Sequence, residues 1–324
     1  MTLSRVFVLG ALLAGLVGCG AGGASMTDPA WQTDLDRDHP LVGRIWHGPS
    51  RRFVAPEEML ADLAGRDFVL LGEKHDHPDH HQLQALVVLE LAVRGRRPAV
   101  GFEMLEPSQQ APLDAFLAQH PTDAAQLGPA VSWQDSSWPD WELYRPIAQA
   151  ALDAGLPLFA ANLPGADAKA ISRNGLAALD AESRKRFALD MPFDATTAAE
   201  MEQEVLDSHC GMLPKHAAPP MAMAQRARDA AMADALLAHA SPGGAVLITG
   251  NGHARKDRGV PWWLRQRAPG KSIASVAFVE VRAGLDPQQG EPGAVADYVW
   301  YTPRLDDTDP CAEFRDQLEK MRGR

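Results

Sequence analysis

The chain has 324 residues, of which 46% are hydrophobic and 23% charged, with 27 glycines, 25 prolines and three cysteines. These fractions exclude collagen-like, disordered and disulfide-scaffold chains, and the length suffices for one large α/β domain or two smaller ones. Against 31 lysines and arginines stand 42 aspartates and glutamates, a formal charge of -11, the wrong sign for tracking phosphates, which argues against nucleic acid as a partner.

Arg5 precedes an apolar run from Val6 to Val17, short for a bilayer span but suited to the core of a secretory signal. The run ends in Leu16-Val17-Gly18-Cys19, which resembles the bacterial lipobox. That resemblance implies removal of residues 1–18 and a diacylglycerol on the Cys19 thiol. The competing reading is a plain signal cleaved after Ala24. Two or more acyl chains make a stable anchor, at roughly 0.8 kcal/mol per buried methylene. Residues 19–39 then comprise the lipidated cysteine and a tether, flexible through its Gly/Ala/Ser stretch from Gly20 to Ser25. Gly20 follows the cysteine, and likeness to the lipoprotein sorting rule implies the outer membrane, facing the periplasm. In that oxidising compartment Cys210 and Cys311 form a disulfide or stay as two buried thiols, since nothing local fixes their separation.

From about residue 55 short apolar runs alternate with helical stretches, the pattern of βα units and a parallel sheet. Pro56 to Leu63 predicts a helix and Asp67 to Leu71 a buried strand. Asp79 is the expected N-cap of a helix that closes at Gly95. Ala99 to Phe102 is a second strand, Pro107 to Gln119 is helical, and a Pro/Trp-rich connection runs from Pro121 to Pro139. A helix from Tyr144 to Ala154 leads into a strand at Pro157 to Ala161. Residues 164–220 read as a helical insertion or lid. Ala222 to Ala240 is a strong helix and Ala245 to Thr249 a fourth buried strand. Ser272 to Val281 and Val295 to Tyr301 alternate and are expected to extend the sheet at an edge. The expected architecture is a three-layer α/β/α domain over residues 40–305 with a mostly parallel sheet, followed by a tail at 306–324.

The chemically capable residues fall just after these strands. The first delivers Glu73 and His75, the second Glu103, the third Asn162, and the fourth Gly250-Asn251-Gly252-His253. Carboxyl ends of parallel strands share one rim, and ligand crevices lie outside it. Glu73, His75, Glu103 and His253 therefore suit either a divalent metal site or acid–base work on a substrate, with Asn162 orienting it. Taken singly, each is more often structural. His77, His80 and His81 match no zinc spacing and are read as a solvated turn. The lid carries His209, Cys210, Met212, His216, Met221 and Met223, ligand types that iron porphyrins accept, although on the residues alone a packed lid with Met filling gaps is the better reading. Trp133, Trp138, Trp141 and Tyr144 sit beside Arg145, as a haem-ligating tyrosinate would, or as a satellite aromatic cluster. Arg226 and Asp229 fit a solvated helical ion pair as well as a role in a site.

Several motifs in order, L-L-G-E-K-H-D-H-P-D-H-H-Q-L-Q (70–84), G-F-E-M (101–104), W-x-x-Y-R-P from Trp141, A-A-N-L-P (160–164), S-H-C-G-M-L-P (208–214), A-Q-R-A-R-D-A-A-M-A (224–233) and G-N-G-H-A-R (250–255), resemble the ChaN-type haem-binding lipoproteins. The resemblance implies a three-layer α/β fold, haem held at the interface of a homodimer, and a part in haem or iron uptake. It also implies kinship with erythromycin esterase-like and Tiki-type proteins, some of them metal-dependent hydrolases, whose motifs correspond to Glu73, His75, Glu103 and His253. Haem ligation in the family implies a tyrosine with a histidine from across the dimer; Tyr144 and His209 are the matching candidates here. Two functions from different classes follow, a lipid-anchored haem binder and a divalent-metal-dependent hydrolase of peptide or ester bonds. An envelope scaffold with a vestigial rim is the third.

Overall fold

Phe68–Glu73 and Ala245–Gly250 are buried at every residue, as runs without polar alternation must be when helices cover both faces of a parallel sheet. In the computed structural model, which describes residues 30–287, 292–309, 311–312, 314–315 and 319, these two strands lie side by side near the middle of an eight-stranded sheet. The signal segment, Cys19 and most of the tether and tail lie outside the described residues.

The strands are β1 (Ile45–His47), β2 (Arg52–Val54), β3 (Phe68–Glu73), β4 (Ala99–Phe102), β5 (Leu158–Ala160), β6 (Ala245–Gly250), β7 (Ile273–Glu280) and β8 (Tyr298–Thr302). Their order is β2-β1-β8-β7-β3-β6-β4-β5. From β8 to β5 neighbouring strands are parallel, whereas β1 pairs antiparallel with both β8 and β2. The α-helices are α1 (Pro56–Ala64), α2 (Pro78–Val93), α3 (Gln110–Leu117), α4 (Leu127–Ala130), α5 (Trp141–Asp153), α6 (Gly165–Asn174), α7 (Ala181–Arg186), α8 (Ala195–Ser208), α9 (Ala218–His239), α10 (Val260–Arg267) and α11 (Pro292–Val295).

Alternate residues of β3 enter opposite cores, which sets the three layers. Val69 and Leu71 pack with α1, α2, α3 and α5, while Phe68 and Leu70 pack with α6, α9 and α10. The period-two geometry of a strand forces this division. Two expectations about the sheet change. β7 and β8 lie inside it, and its edges are β5 and the β1–β2 hairpin, whose three-residue strands are too short to show a pattern. The N-cap of α2 is His77, with Pro78 in the first turn, while Asp79 accepts from Gln32 N, Thr33 N and Thr33 Oγ1.

The inserted segment divides into two parts. Ile171, Leu179 and Leu189 belong to the core beside α9, whereas α8 has its own small apolar cluster, Met201 and Val205 against Ala218 and Ala222. Just after α8 a disulfide joins Cys210 to Cys311, 101 residues apart in sequence. Of the two states open to that pair, the structure has the bonded one. Closing so long a loop restricts the unfolded chain by about 5 kcal/mol in the chain-entropy account. Among the described residues, no helix is long and apolar enough to cross a membrane.

Candidate functional site

At the carboxyl rim of the sheet two carboxylates are fully buried, Glu73 at the end of β3 and Glu103 one residue past β4. A buried carboxylate is tolerable only when donors replace its lost hydration. Each of these has recruited its own set.

Glu73 Oε1 receives the Tyr144 hydroxyl at 2.8 Å and pairs with His75 Nδ1 at 2.8 Å. His81 Nε2 lies 3.1 Å from Glu73 Oε2, close enough for an ion pair but out of line for a hydrogen bond. Burial alone would raise the Glu73 carboxyl; the His81 charge and the His75 hydrogen bond outweigh it and hold it below its ordinary value. Burial would likewise lower the His75 imidazole, but the bond to Glu73 and the nearby Glu103 charge raise it above its ordinary value. The Tyr144 phenol is pushed far up by burial and by the Glu73 carboxylate. Tyr144 is thus a proton donor to an anion, the opposite of a tyrosinate.

Glu103 is held from four directions. Oε2 accepts from Thr249 Oγ1 at 2.6 Å and Gly250 N at 2.8 Å, while Oε1 receives Arg228 Nη2 at 2.6 Å. His253 Nε2 stands 3.4 Å from the same Oε1, and its Nδ1 pairs with Asp229 Oδ1 at 2.7 Å. Burial would raise Glu103, but the His253, Arg228 and His75 charges bring it down to about 2. Burial pushes the Asp229 carboxyl above its ordinary value despite His253. The two clusters meet at Gly250, where a Cβ would strike the His75 ring. Only glycine allows His75 to lie against β6 and feel both acids.

The rim therefore gathers Glu73, His75, Glu103 and His253, and Asn162 joins it indirectly. Asn162 Oδ1 accepts from Arg228 Nε at 3.2 Å, so it orients the guanidinium. The four expected metal ligands do not converge on one point. They divide into a Glu73–His75 pair and a Glu103–His253 pair, and Arg228 occupies the oxygen of Glu103 that an ion would need. Among the described residues no group of three or more His, Cys, Asp or Glu is arranged around an ion. What the arrangement can do is move protons: His253, backed by Asp229, borders a cavity of about 210 Å³ between α8, α9 and the Gly252-His253 turn. That cavity is smaller than typical small-molecule pockets, which start near about 300 Å³.

Other expectations change. His77, His80 and His81 are buried, not solvated. His77 and His80 stack at 4.0 Å, and His80 accepts from Lys74 N while its Nε2 bonds the Thr302 hydroxyl. Arg226 does not pair with Asp229; its guanidinium lies over Phe193 and Trp263. His209 sits far along the chain at the C-cap of α8, on a half-buried ring beside Phe314. Sequence reasoning missed four members of the rim: His81, Thr249, Arg228 and Asp229. Arg228 and Asp229 share α9 with Arg226, Asp234 and His239, so the sequence of the helix does not mark them for burial.

Residues 59–264 match the family described as "Haem-binding uptake, Tiki superfamily, ChaN". Among solved structures, ChaN of Campylobacter jejuni with cofacial haem is similar at 23% identity and a TM-score of 0.63, over 79% of this chain and 95% of that one. The type III effector HopBA1 is similar at 15% identity and a TM-score of 0.43, over 76% of this chain and 91% of that one. An erythromycin esterase EreC mutant follows at 14% identity and a TM-score of 0.39, over 76% of this chain and 81% of that one. No curated protein matches.

Acid denaturation tests the Glu103 cluster. Its folded-state value near 2 lies below the ordinary 4.5, so its contribution is whole above about pH 4.5 and vanishes as pH falls toward 2. Glu103→Gln should flatten stability across that window and cost about 3 kcal/mol at pH 7, because Arg228 loses its partner. Urea midpoints at pH 7, 4.5 and 3 read both effects.

Proposed function

This chain belongs to the haem-binding uptake (ChaN) family of the Tiki superfamily, and we propose from that membership that it is a haem-binding protein of the bacterial envelope. The observation that carries the reading is the family match over residues 59–264. The cavity bordering His253 is too small for a macrocycle, which favours a haem on the surface. A flat cofactor on a surface leaves one face open, and a second copy of the chain covers it, which is the reason to expect a homodimer. Its place in haem or iron uptake is that of a carrier or store.

The anchor proposed for it is the acylated Cys19, on the strength of Leu16-Val17-Gly18-Cys19 and the short apolar run before it. Gly20 after the cysteine supports the outer membrane, with the domain facing the periplasm.

A second reading is favoured by one feature that haem binding leaves unused, the Asp229–His253 pair facing Glu103 beside a small cavity. It is hydrolysis of an ester or peptide bond, with His253 taking the proton of an attacking water and Asp229 fixing its tautomer.

Titration of the full-length chain with ferric haem should give stoichiometric uptake with a shifted Soret band and a dimer in sedimentation; an unchanged haem spectrum at micromolar concentrations rejects the haem reading. Cys19→Ser should move the chain from the membrane fraction to the soluble one in the bacterium, and unchanged partitioning rejects the anchor. Hydrolysis of a panel of esters and peptides should fall by roughly 100-fold or more in His253→Ala, whereas silence across the panel, with and without added divalent metal, removes the second reading.

A further inference from the structure

Kinship with the family implies haem iron held by a tyrosine, and the tyrosines of this chain do not fit that role. There are three, Tyr144, Tyr298 and Tyr301, and their exposures are 0%, 4% and 1%. The Tyr144 hydroxyl donates to Glu73 and the Tyr298 hydroxyl to Asp62 at 3.0 Å. Burial pushes all three phenols up, Tyr301 to about 12, and adjacent carboxylates push Tyr144 and Tyr298 further. A tyrosinate ligand has to ionise and to reach an iron at the centre of a wide macrocycle. Here all three side chains are buried, and the hydroxyls of Tyr144 and Tyr298 are taken by carboxylates. Cys210 and Cys311 are spent on each other.

Among the described residues, two histidines have a ring nitrogen on a backbone carbonyl, His77 and His209; His77 is fully buried and His209 is not. His209 Nδ1 lies 2.7 Å from the carbonyl oxygen of Val205, one helical turn back. A carbonyl only accepts, so the proton sits on Nδ1 and the lone pair on Nε2. Donation of the remote N–H to a backbone carbonyl is the outer-shell arrangement that orients a metal-binding imidazole and raises its basicity. Nε2 makes no hydrogen bond among the described residues. By contrast, His39 Nδ1 accepts from Leu41 N, and His75 is bound to Glu73 with its Nε2 against Gly250. His253 is bound to Asp229 beneath the lid. The ring of His209 is further placed by the Phe314 edge at 5.3 Å and by the Cys210–Cys311 bond at the next residue. Half-buried Leu206 and Leu213 lie nearby in the α8 cluster and supply apolar surface. The C-terminal end of α8 carries partial negative charge, which favours a cationic ferric centre there.

We infer that haem taken up by this chain is ligated through Nε2 of His209, on the rigid C-terminal end of α8, and by none of its tyrosines. The inference rests on the haem reading above. Ferric haem is titrated into full-length wild type, His209→Ala and Tyr144→Phe, and followed by absorption, electron paramagnetic resonance and resonance Raman. Wild type and Tyr144→Phe should share an imidazole-type spectrum. His209→Ala should lose it, with affinity lower by at least roughly tenfold and circular dichroism unchanged, and free imidazole should restore it. Phenolate–iron vibrations in wild type, or a His209→Ala complex that matches wild type, overturn the assignment while haem binding stands. No uptake by wild type overturns the haem reading and the assignment with it.

Discussion

A carboxylate sealed inside a protein must be surrounded by donors, and at the rim of this sheet there are two of them, Glu73 and Glu103, within reach of one imidazole. Their demands explain most of the polar structure nearby. Tyr144 on α5, His81 on α2 and Arg228 on α9 come from helices on both faces of the sheet; Tyr144 and Arg228 each donate to one of the acids, and His81 stands within ion-pair distance of Glu73. The helices are therefore fixed to the sheet by directed bonds as well as by apolar packing. A neutral pair would have packed at less cost, since buried ion pairs seldom add net stability. Polar groups retained at the mouth of a parallel sheet point to selection for a site.

Gly250 is the point on which the arrangement turns. At that residue β6 passes beneath the His75 ring and presents its N–H to Glu103. Any side chain there would drive His75 away from the second acid. Gly72, where a Cβ would meet Asn251 and Ala254, serves the adjoining strand in the same way and lets the Asn251 turn fold back over β3.

The central architecture was legible because it rests on patterns with one physical meaning. Continuous apolar runs at Phe68, Ala99 and Ala245 can only be strands covered on both faces, and placement of Glu73, Glu103 and His253 after them follows from strand direction. The β1–β2 hairpin was not legible, because three-residue strands carry no periodicity. Burial of His77, His80 and His81 was hidden for a different reason. Charge-capable residues read as solvated unless their partners are known, and these partners, Pro303 O, Thr302 and Glu73, come from distant strands or from a cluster. Arg226 and Arg228 show the same limit: two residues apart on one helix, one covers aromatic rings and the other neutralises Glu103, and only tertiary position separates them.

Helix α8 runs between the acid–base rim and the proposed haem ligand His209. Its Met201, Glu204, Val205 and Ser208 wall the cavity that reaches His253, and the Val205 carbonyl fixes the tautomer of His209. The helix is held by a small apolar cluster of its own, by Arg258 pairing with Glu204, and by the disulfide one residue past its cap. A ligand bound at either end touches the same short lever. If binding at one end shifts the position of α8, binding at the other must respond by the same free energy, because such coupling is reciprocal. The proposed haem ligand and the acid–base rim then share one helix, and Val205 belongs to both ends, walling the cavity and holding His209.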